Sequence, residues 1–100
     1  NKLIKYKRKV YLKMEQLVKE KNITIENEAL TLRYILTRSD RTKGYGARIE
    51  KRSSQGGYEE AQQEDLFPNY PQANRFLLSL AQHSVTPVSF PDIVEDYMCL

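Results

Sequence analysis

The chain has 100 residues, 40% hydrophobic and 29% charged, with a formal net charge of +3. That length favours one domain with one core, over residues 1–100, and the composition excludes a disordered or fibrous chain. No apolar run reaches the roughly 18–20 residues needed to cross a bilayer, so we expect a cytoplasmic protein without a membrane partner. Cys99 is the single cysteine, which excludes an intramolecular disulfide and fits a reducing compartment.

Charge is distributed unevenly along the chain. Residues 1–21 carry eight basic and two acidic side chains, a net charge of +6. Residues 57–100 carry one basic and seven acidic side chains, a net charge of −6. Opposite charges of this size attract each other, within one chain or between two copies.

Residues 1–22 are predicted to form a basic amphipathic helix. Between Leu3 and Val18, apolar residues recur at spacings of three, four and seven, as one face of a helix requires. Lys7 interrupts this face. The helix is expected to end near Lys21, before the β-branched residues Ile23–Ile25.

Residues 28–67 are predicted to form a β-meander. Apolar and polar residues alternate from Leu30 to Thr37 and again from Tyr45 to Arg52, which is typical of half-buried strands. The glycine pair at 56–57 suits a tight hairpin. The returning strand, Tyr58–Phe67, is rich in glutamate and glutamine, so we expect an edge strand whose carboxylates pair with the basic residues of the preceding strand, Arg48, Lys51 or Arg52.

Residues 70–99 are predicted to form two helices. Asn69 followed by Gln72 is a helix-start pattern, and the apolar residues between Ala73 and Ala81 have helical spacing. Pro87 favours an extended segment before Ser89, which is expected to cap the second helix.

The predicted fold class is therefore α+β: a three-stranded antiparallel meander with an N-terminal helix and two C-terminal helices covering one face. The predicted core comprises Leu30, Leu32, Tyr34, Leu36, Ala47, Ile49, Phe76, Leu77, Leu80, Val85, Val88, Ile93, Val94 and Tyr97.

Several short motifs occur in an order that resembles a known family. They are Tyr45-Gly46, Ile49–Lys51, the glycine hairpin, the helix after Asn69, Val85–Val88 and Asp92–Asp96. Over about Leu30 to Met98 the chain is similar to short bacterial proteins known only as a domain of unknown function. The resemblance implies no activity, cofactor or catalytic residue. The chain departs from the family pattern at Ser89-Phe90, where a histidine or other polar residue followed by an aliphatic one is expected.

Catalytic and metal chemistry find little support in the residues. His83 is the single histidine and lies at a predicted helix end, where it favourably meets free carbonyls. Asp92, Glu95 and Asp96 lie on neighbouring helical turns, but no histidine, cysteine or glycine-bearing loop accompanies them. The sequence therefore predicts no enzyme, no catalytic residue, no cofactor and no metal site.

A small non-catalytic binding or regulatory module is the predicted function, acting through contacts either with another protein or with a second copy of itself. Sheet edges and amphipathic helices are common docking elements. The alternative is nucleic-acid binding through the basic N-terminal helix, because its cations would neutralise phosphates. The residues predicted for that role are Lys5, Lys7, Arg8, Lys9 and Lys13.

Overall fold

The structure, a computed structural model, describes residues 13–41 and 43–98. Four strands are followed by two helices. The strands are β1 (Lys13–Ile25), β2 (Glu28–Ser39), β3 (Tyr45–Ser53) and β4 (Tyr58–Phe67), and the helices are α1 (Tyr70–Gln82) and α2 (Phe90–Met98). The strands form one antiparallel sheet in the order β1-β2-β3-β4, so β1 and β4 are its two edges.

The N-terminal helix predicted over residues 1–22 is wrong for the part that the structure describes. Residues 13–22 belong to β1, and residues 1–12 lie outside the described residues. A β-bulge explains the misleading spacing, because the register with β2 shifts between Leu17 and Lys19 and leaves Val18 opposite no residue. The extra residue interrupts the alternation, so the apolar positions of β1 imitate helical spacing. The sheet therefore has four strands, where three were predicted.

The turn between β1 and β2 is a two-residue hairpin without glycine. Glu26 and Asn27 have φ angles of 51° and 68°. Positive φ at both central residues is what a type I′ turn requires, and its twist matches that of the two strands it joins. The turn thereby fixes the register in which Ile25 lies opposite Glu28.

One face of the sheet, the covered face, lies under α1, which packs against all four strands. Its apolar side chains form a single buried cluster with those of the helices. The strand and α1 members are Leu32, Tyr34, Leu36, Ala47, Ile49, Leu66, Phe67, Ala73, Phe76, Leu77, Leu80 and Ala81. Burial of this cluster is the main favourable term in folding.

The predicted core is wrong at two positions near α2. Val88 is 71% exposed and Tyr97 is 52% exposed, whereas Phe90, which was not predicted, is 1% exposed. The chain turns after Thr86, since the backbone N–H groups of Ser89 and Phe90 both donate to the Thr86 carbonyl at 3.1 Å. This turn leaves Val88 in solvent and brings Phe90 into the core.

Polar contacts tie α1 to the sheet at both ends. At its C-terminal end, Lys21 Nζ donates to the Ala81 carbonyl at 2.8 Å and to Ser84 Oγ at 2.7 Å. At its N-terminal end, Gln16 Nε2 of β1 donates to the Tyr70 hydroxyl at 3.0 Å. The helix start itself is capped locally, because the Gln72 amide donates to Asn69 Oδ1 at 3.0 Å, as the sequence predicts.

Candidate functional site

The outer edge of β4 is the feature of the sheet that is open to a further strand. β4 is the last strand, and among residues 13–41 and 43–98 no strand pairs with its outer side. From Tyr58 to Gln63 it pairs with β3 in a regular register. Along such an edge, every second residue directs its N–H and C=O groups away from the sheet, where another strand can bind them.

A cleft of about 250 Å³ follows this edge, between β4 and α2. We call it the β4–α2 cleft, and it is lined by Ala61, Gln62, Gln63, Phe90, Pro91, Val94 and Glu95. Neighbouring residues of a strand point to opposite faces. A cleft that touches three consecutive residues, 61–63, therefore runs along the edge of the strand and not over one face only.

Two aromatic residues hold α2 in place as a wall of this cleft. Phe90, at its start, is buried in the core. Near its end, the Tyr97 ring lies with its centroid 5.4 Å from that of Phe67 and 5.2 Å from that of Phe76. Tilted aromatic pairs at such distances add stability beyond the area they bury. The cleft wall is thus anchored at both ends of a short helix.

The surface around the β4–α2 cleft is acidic. β4 contains four carboxylates and α2 contains three, and neither element contains a lysine or arginine. Two of the β4 carboxylates are neutralised within the chain: Glu59 pairs with Lys51 Nζ at 3.0 Å, as predicted, and Glu64 pairs with Arg41 Nη2 at 3.0 Å. The remaining carboxylates leave an excess of negative charge.

Glu60 is the carboxylate at the middle of the regular edge. It accepts a hydrogen bond from the Tyr58 hydroxyl at 2.6 Å, and no ion pair to it is found among the described residues. That hydrogen bond, followed by a smaller effect of burial, raises the pKa of Tyr58 to about 12. Arg52, which was predicted to pair with a β4 carboxylate, instead lies over the Tyr58 ring at 4.6 Å from its centroid.

The face of the sheet opposite to α1, the open face, carries an ionic network centred on Arg48. Its two terminal nitrogens donate to both carboxylate oxygens of Glu15 at 2.7 and 2.8 Å, and its Nε donates to Glu50 at 3.1 Å. The hydrogen bonds to Glu15 are the largest cause that raises the pKa of Arg48. Arg48 was one of three candidate partners for the β4 carboxylates, but it bonds to Glu15 of β1 and Glu50 of β3. Its guanidinium therefore stabilises the sheet.

A small polar pocket of about 60 Å³ lies beside this network. The Thr37 hydroxyl at its wall is buried and has no hydrogen-bond partner among the described residues. Gly46 lies against the same hydroxyl, because a Cβ there would come within 2.8 Å of Thr37 Oγ1 and 2.4 Å of the Gln63 carbonyl oxygen. The pocket has the volume of about two water molecules in the liquid.

A wider groove of about 460 Å³ separates α1 from α2 on the outer surface. Its walls are mainly apolar and include Phe76, Leu80, Ile93 and Tyr97, with His83 at the rim. His83 is the C-cap residue of α1, and its Nδ1 lies 2.9 Å from the Ser79 carbonyl oxygen. This is the capping position that the sequence predicts for the histidine.

Of the residues predicted to bind nucleic acid, Lys13 alone belongs to the described part of the chain. Lys13 begins β1 and therefore does not lie on a helix. Lys5, Lys7, Arg8 and Lys9 lie outside the described residues, so nucleic-acid binding through them stays a prediction. In the described part of the chain, no group of three or more histidine, cysteine, aspartate or glutamate side chains is placed to hold a metal ion.

Sequence reasoning identified β4 as an edge strand but missed the cleft beside it. The cleft exists because Phe90 is buried and places Pro91 and Val94 next to Ala61. The local sequence signal for the cleft was the Phe90-Pro91 pair at the start of α2. A buried aromatic residue at that position fixes the angle at which the chain enters the helix.

Neither helix in residues 13–41 and 43–98 is long and apolar enough to span a membrane. Comparison with curated proteins and with solved structures found no significant match. A family model does match: the family of unknown function DUF6514 covers residues 14–100, which includes nearly all of β1 as well as the region over which the sequence resembles such a family. The chain therefore belongs to the family of unknown function DUF6514.

Proposed function

We propose that this protein is a small non-catalytic binding module that accepts an extended segment of another protein along β4. The observation that carries the proposal is the regular edge of residues 58–63, with which no other strand of the described part of the chain pairs on its outer side, beside a cleft with apolar walls from α2. Main-chain hydrogen bonds at such an edge supply affinity, and pockets for alternate side chains supply specificity. A cytoplasmic location, in keeping with a single cysteine, is part of the same proposal.

The edge of β4 is a better docking element than the edge of β1. β1 carries a bulge at Val18, which twists a strand and disrupts further pairing. One of its lysines, Lys21, is already bound to the end of α1. β4 is regular over six residues and has a cleft along its outer side.

Peptide selection combined with amide hydrogen exchange tests the proposal. Binders are selected from an unbiased heptapeptide display library against the full chain, and exchange is then measured with and without each peptide. Strand addition protects alternate amides within residues 58–63, because the outward N–H groups gain acceptors. Binding in the α1–α2 groove instead changes protection around Phe76 and Ile93.

Selected peptides that leave the β4 amides unprotected would show that the docking surface is elsewhere. Methylation of the peptide backbone gives a matched control, since it removes donors without changing a side chain. Methylation of the set of peptide nitrogens that faces β4 abolishes binding, whereas methylation of the alternate set leaves it intact. Equal effects of the two sets would exclude strand pairing.

A further inference from the structure

The chemistry around β4 also specifies what kind of segment would bind there, and this step depends on the proposed function. A strand added beside β4 has side chains that alternate between the covered face and the open face. A residue of the added strand that lies opposite Ala61 faces the covered face. A residue opposite Glu60 or Gln62 faces the open face, because Glu60 pairs with Glu50 and Gln62 with Arg48 within the sheet. The two faces offer different environments to the incoming side chains.

On the covered face, an incoming side chain meets the β4–α2 cleft. Its walls there are the apolar side chains of Ala61, Phe90, Pro91 and Val94. A volume of about 250 Å³ accepts one or two aliphatic side chains. Residues of the partner that face α2 are therefore expected to be apolar.

On the open face, an incoming side chain lies next to Glu60. Directly opposite residues of paired strands have Cβ atoms about 4.5–5.5 Å apart, so a lysine or arginine there reaches the Glu60 carboxylate. Glu95, on α2, adds a second carboxylate on the covered-face side of the same edge, in the lining of the cleft. Since neither Glu60 nor Glu95 has an ion pair among the described residues, a basic partner supplies the missing counter-charge.

The same carboxylates disfavour a second copy of this chain as the occupant. Pairing of two β4 edges would bring together the four carboxylates of each strand without a basic residue on either. Like charges opposite each other in a sheet are destabilising. The acidic edge thus acts against self-association and selects a basic strand.

We infer that the partner of β4 is an extended segment of another protein in which apolar residues alternate with lysine or arginine, the apolar side chains entering the β4–α2 cleft and the basic ones facing Glu60, while Glu95 adds to the negative potential along the same edge. Affinity for such a segment falls as salt is added, because the ion pairs are exposed to solvent.

A heptapeptide of alternating lysine and valine, blocked at both ends, is the probe, and fluorescence anisotropy with the full chain measures its affinity. The comparison peptide has glutamate in place of every lysine. The lysine peptide is expected to bind at least about tenfold more tightly, since four charges change sign. It also protects alternate amides within residues 58–63.

Single glutamate-to-glutamine substitutions in the chain test which carboxylates bind the basic side chains of the peptide. Glu60→Gln weakens binding of the lysine peptide about threefold, as expected for an exposed ion pair, and Glu95→Gln weakens it less, because Glu95 acts only through the negative potential along the edge. Glutamine at position 60 still accepts the hydrogen bond from Tyr58, so the strand keeps its local structure. Glu20→Gln, on β1 at the opposite edge of the sheet, removes one unit of the same charge far from the cleft and leaves the affinity unchanged.

Four outcomes overturn the inference, and the last of them overturns the proposed function as well. Equal affinity for the two peptides with protected β4 amides refutes the basic partner while the proposed function stands. Loss of affinity in Glu20→Gln equal to that in Glu60→Gln shows a general charge effect without a site. Light scattering that reveals a dimer, together with protection of residues 58–63 before peptide is added, makes a second copy the occupant. Absence of any β4 protection by either peptide refutes the proposed function itself.

Discussion

The central strands β2 and β3 bury residues on both faces of the sheet, but by different means. On the covered face, Leu32, Tyr34 and Ile49 are buried because α1 lies over them. On the open face, Ile35 and Glu50 are buried although neither helix covers them. Long side chains of neighbouring strands shield that face, above all Arg48, whose side chain is 13% exposed. Arginine stems cover apolar surface while their charged ends stay bonded to carboxylates.

This difference predicts two kinds of sensitivity to mutation. Hydrophobic burial is non-directional and scales with the area removed from water, so the covered face should respond to the size of a side chain. The open face depends on close backbone packing and on directed charge-assisted bonds, so it should respond to geometry and to loss of a partner. The variants below separate the two, from the largest expected effect to the smallest.

Leu77→Ala on α1 should be the most destabilising of these substitutions. The Leu77 side chain has no exposed surface and faces the strands of the covered face. Truncation of such a leucine leaves a cavity and lowers the free energy of unfolding by about 2–5 kcal/mol. Denaturant unfolding followed by circular dichroism measures the change.

Leu78→Ala is the matched control for Leu77→Ala. Leu78 is the next residue of the same helix but is 43% exposed. The same chemical change there should lower the free energy of unfolding by less than about 1 kcal/mol. Similar losses in both variants would mean that α1 does not seal the covered face as described.

Gly46→Ala should destabilise the open face by overpacking. The added Cβ would lie 2.4 Å from the Gln63 carbonyl oxygen and 2.8 Å from Glu64 Cα, and both are backbone atoms that cannot rotate away. β3 and β4 would have to move apart locally to make room for the added Cβ, which would lower the free energy of unfolding by about 1–3 kcal/mol.

Gly57→Ala provides the comparison for Gly46→Ala. A Cβ at Gly57 meets only Ser53 Cβ, at the ordinary contact distance of 3.5 Å. Thermal unfolding of this variant should match the wild type closely. If Gly46→Ala were equally harmless, the close approach of β3 and β4 at that position would be refuted.

Arg48→Met should weaken the open face by removing the guanidinium while keeping much of the apolar stem. Glu50, which is 9% exposed, then loses its bond to Arg48 at 3.1 Å, and among the described residues the ion pair left to it is the longer one with Arg33, at 4.0 Å. Because Glu15 is half exposed and regains water, we expect a loss of about 1–2 kcal/mol in the free energy of unfolding.

Two further variants sharpen the Arg48 result. Arg41→Met breaks an exposed pair with Glu64, so its effect should stay below about 1 kcal/mol. Addition of Glu50→Gln to Arg48→Met removes the carboxylate left without its main partner and should restore part of the stability. No recovery in the double variant would show that Glu50 is solvated without Arg48.

The difference between local apolar spacing and long-range bonding also explains which parts of the structure could be predicted from the sequence. α1 was predicted because its apolar spacing is regular and Asn69 caps it locally. β1 was missed because the bulge at Val18 breaks its alternation, and its identity as a strand depends on pairing with β2. Arg48 was expected to bond to the adjacent strand β4, but its strongest partner, Glu15, is 33 residues away and two strands across the sheet.

The candidate site was partly predictable for the same reason. The polar composition of β4 identified it as an edge strand, since an edge needs few apolar residues. The cleft depends on the position of α2, and that position is set by the burial of Phe90 in place of Val88. Which of two apolar residues in a turn enters the core is decided by tertiary packing, which periodicity does not encode.

Of the four principal variants, after Leu77→Ala, Gly46→Ala and Arg48→Met, Tyr34→Phe should have the smallest effect, with a distinctive pH dependence. The Tyr34 hydroxyl donates to the Val85 carbonyl at 2.8 Å and joins the covered face to the segment between the helices. Its loss should lower the free energy of unfolding by about 1 kcal/mol at neutral pH. Burial raises the pKa of Tyr34 from 10.0 to about 12, so the folded state keeps this proton more tightly than the unfolded state. The contribution of Tyr34 is therefore complete below pH 10 and is lost as the pH rises toward 12.

The difference in stability between wild type and Tyr34→Phe should consequently narrow between pH 10 and 12. Denaturant midpoints at several alkaline pH values measure it, and absorbance of tyrosinate follows the ionisation directly. Tyr58→Phe is the control, because the raised pKa of Tyr58 arises mainly from its bond to Glu60 at the exposed edge of β4. Because solvent screens that bond, it contributes little to the free energy of unfolding. Tyr58→Phe should therefore change stability much less than Tyr34→Phe at every pH. A gap between wild type and Tyr34→Phe that stays constant up to pH 12 would mean that the Tyr34 hydroxyl reaches solvent, and that the covered face is open where α1 ends.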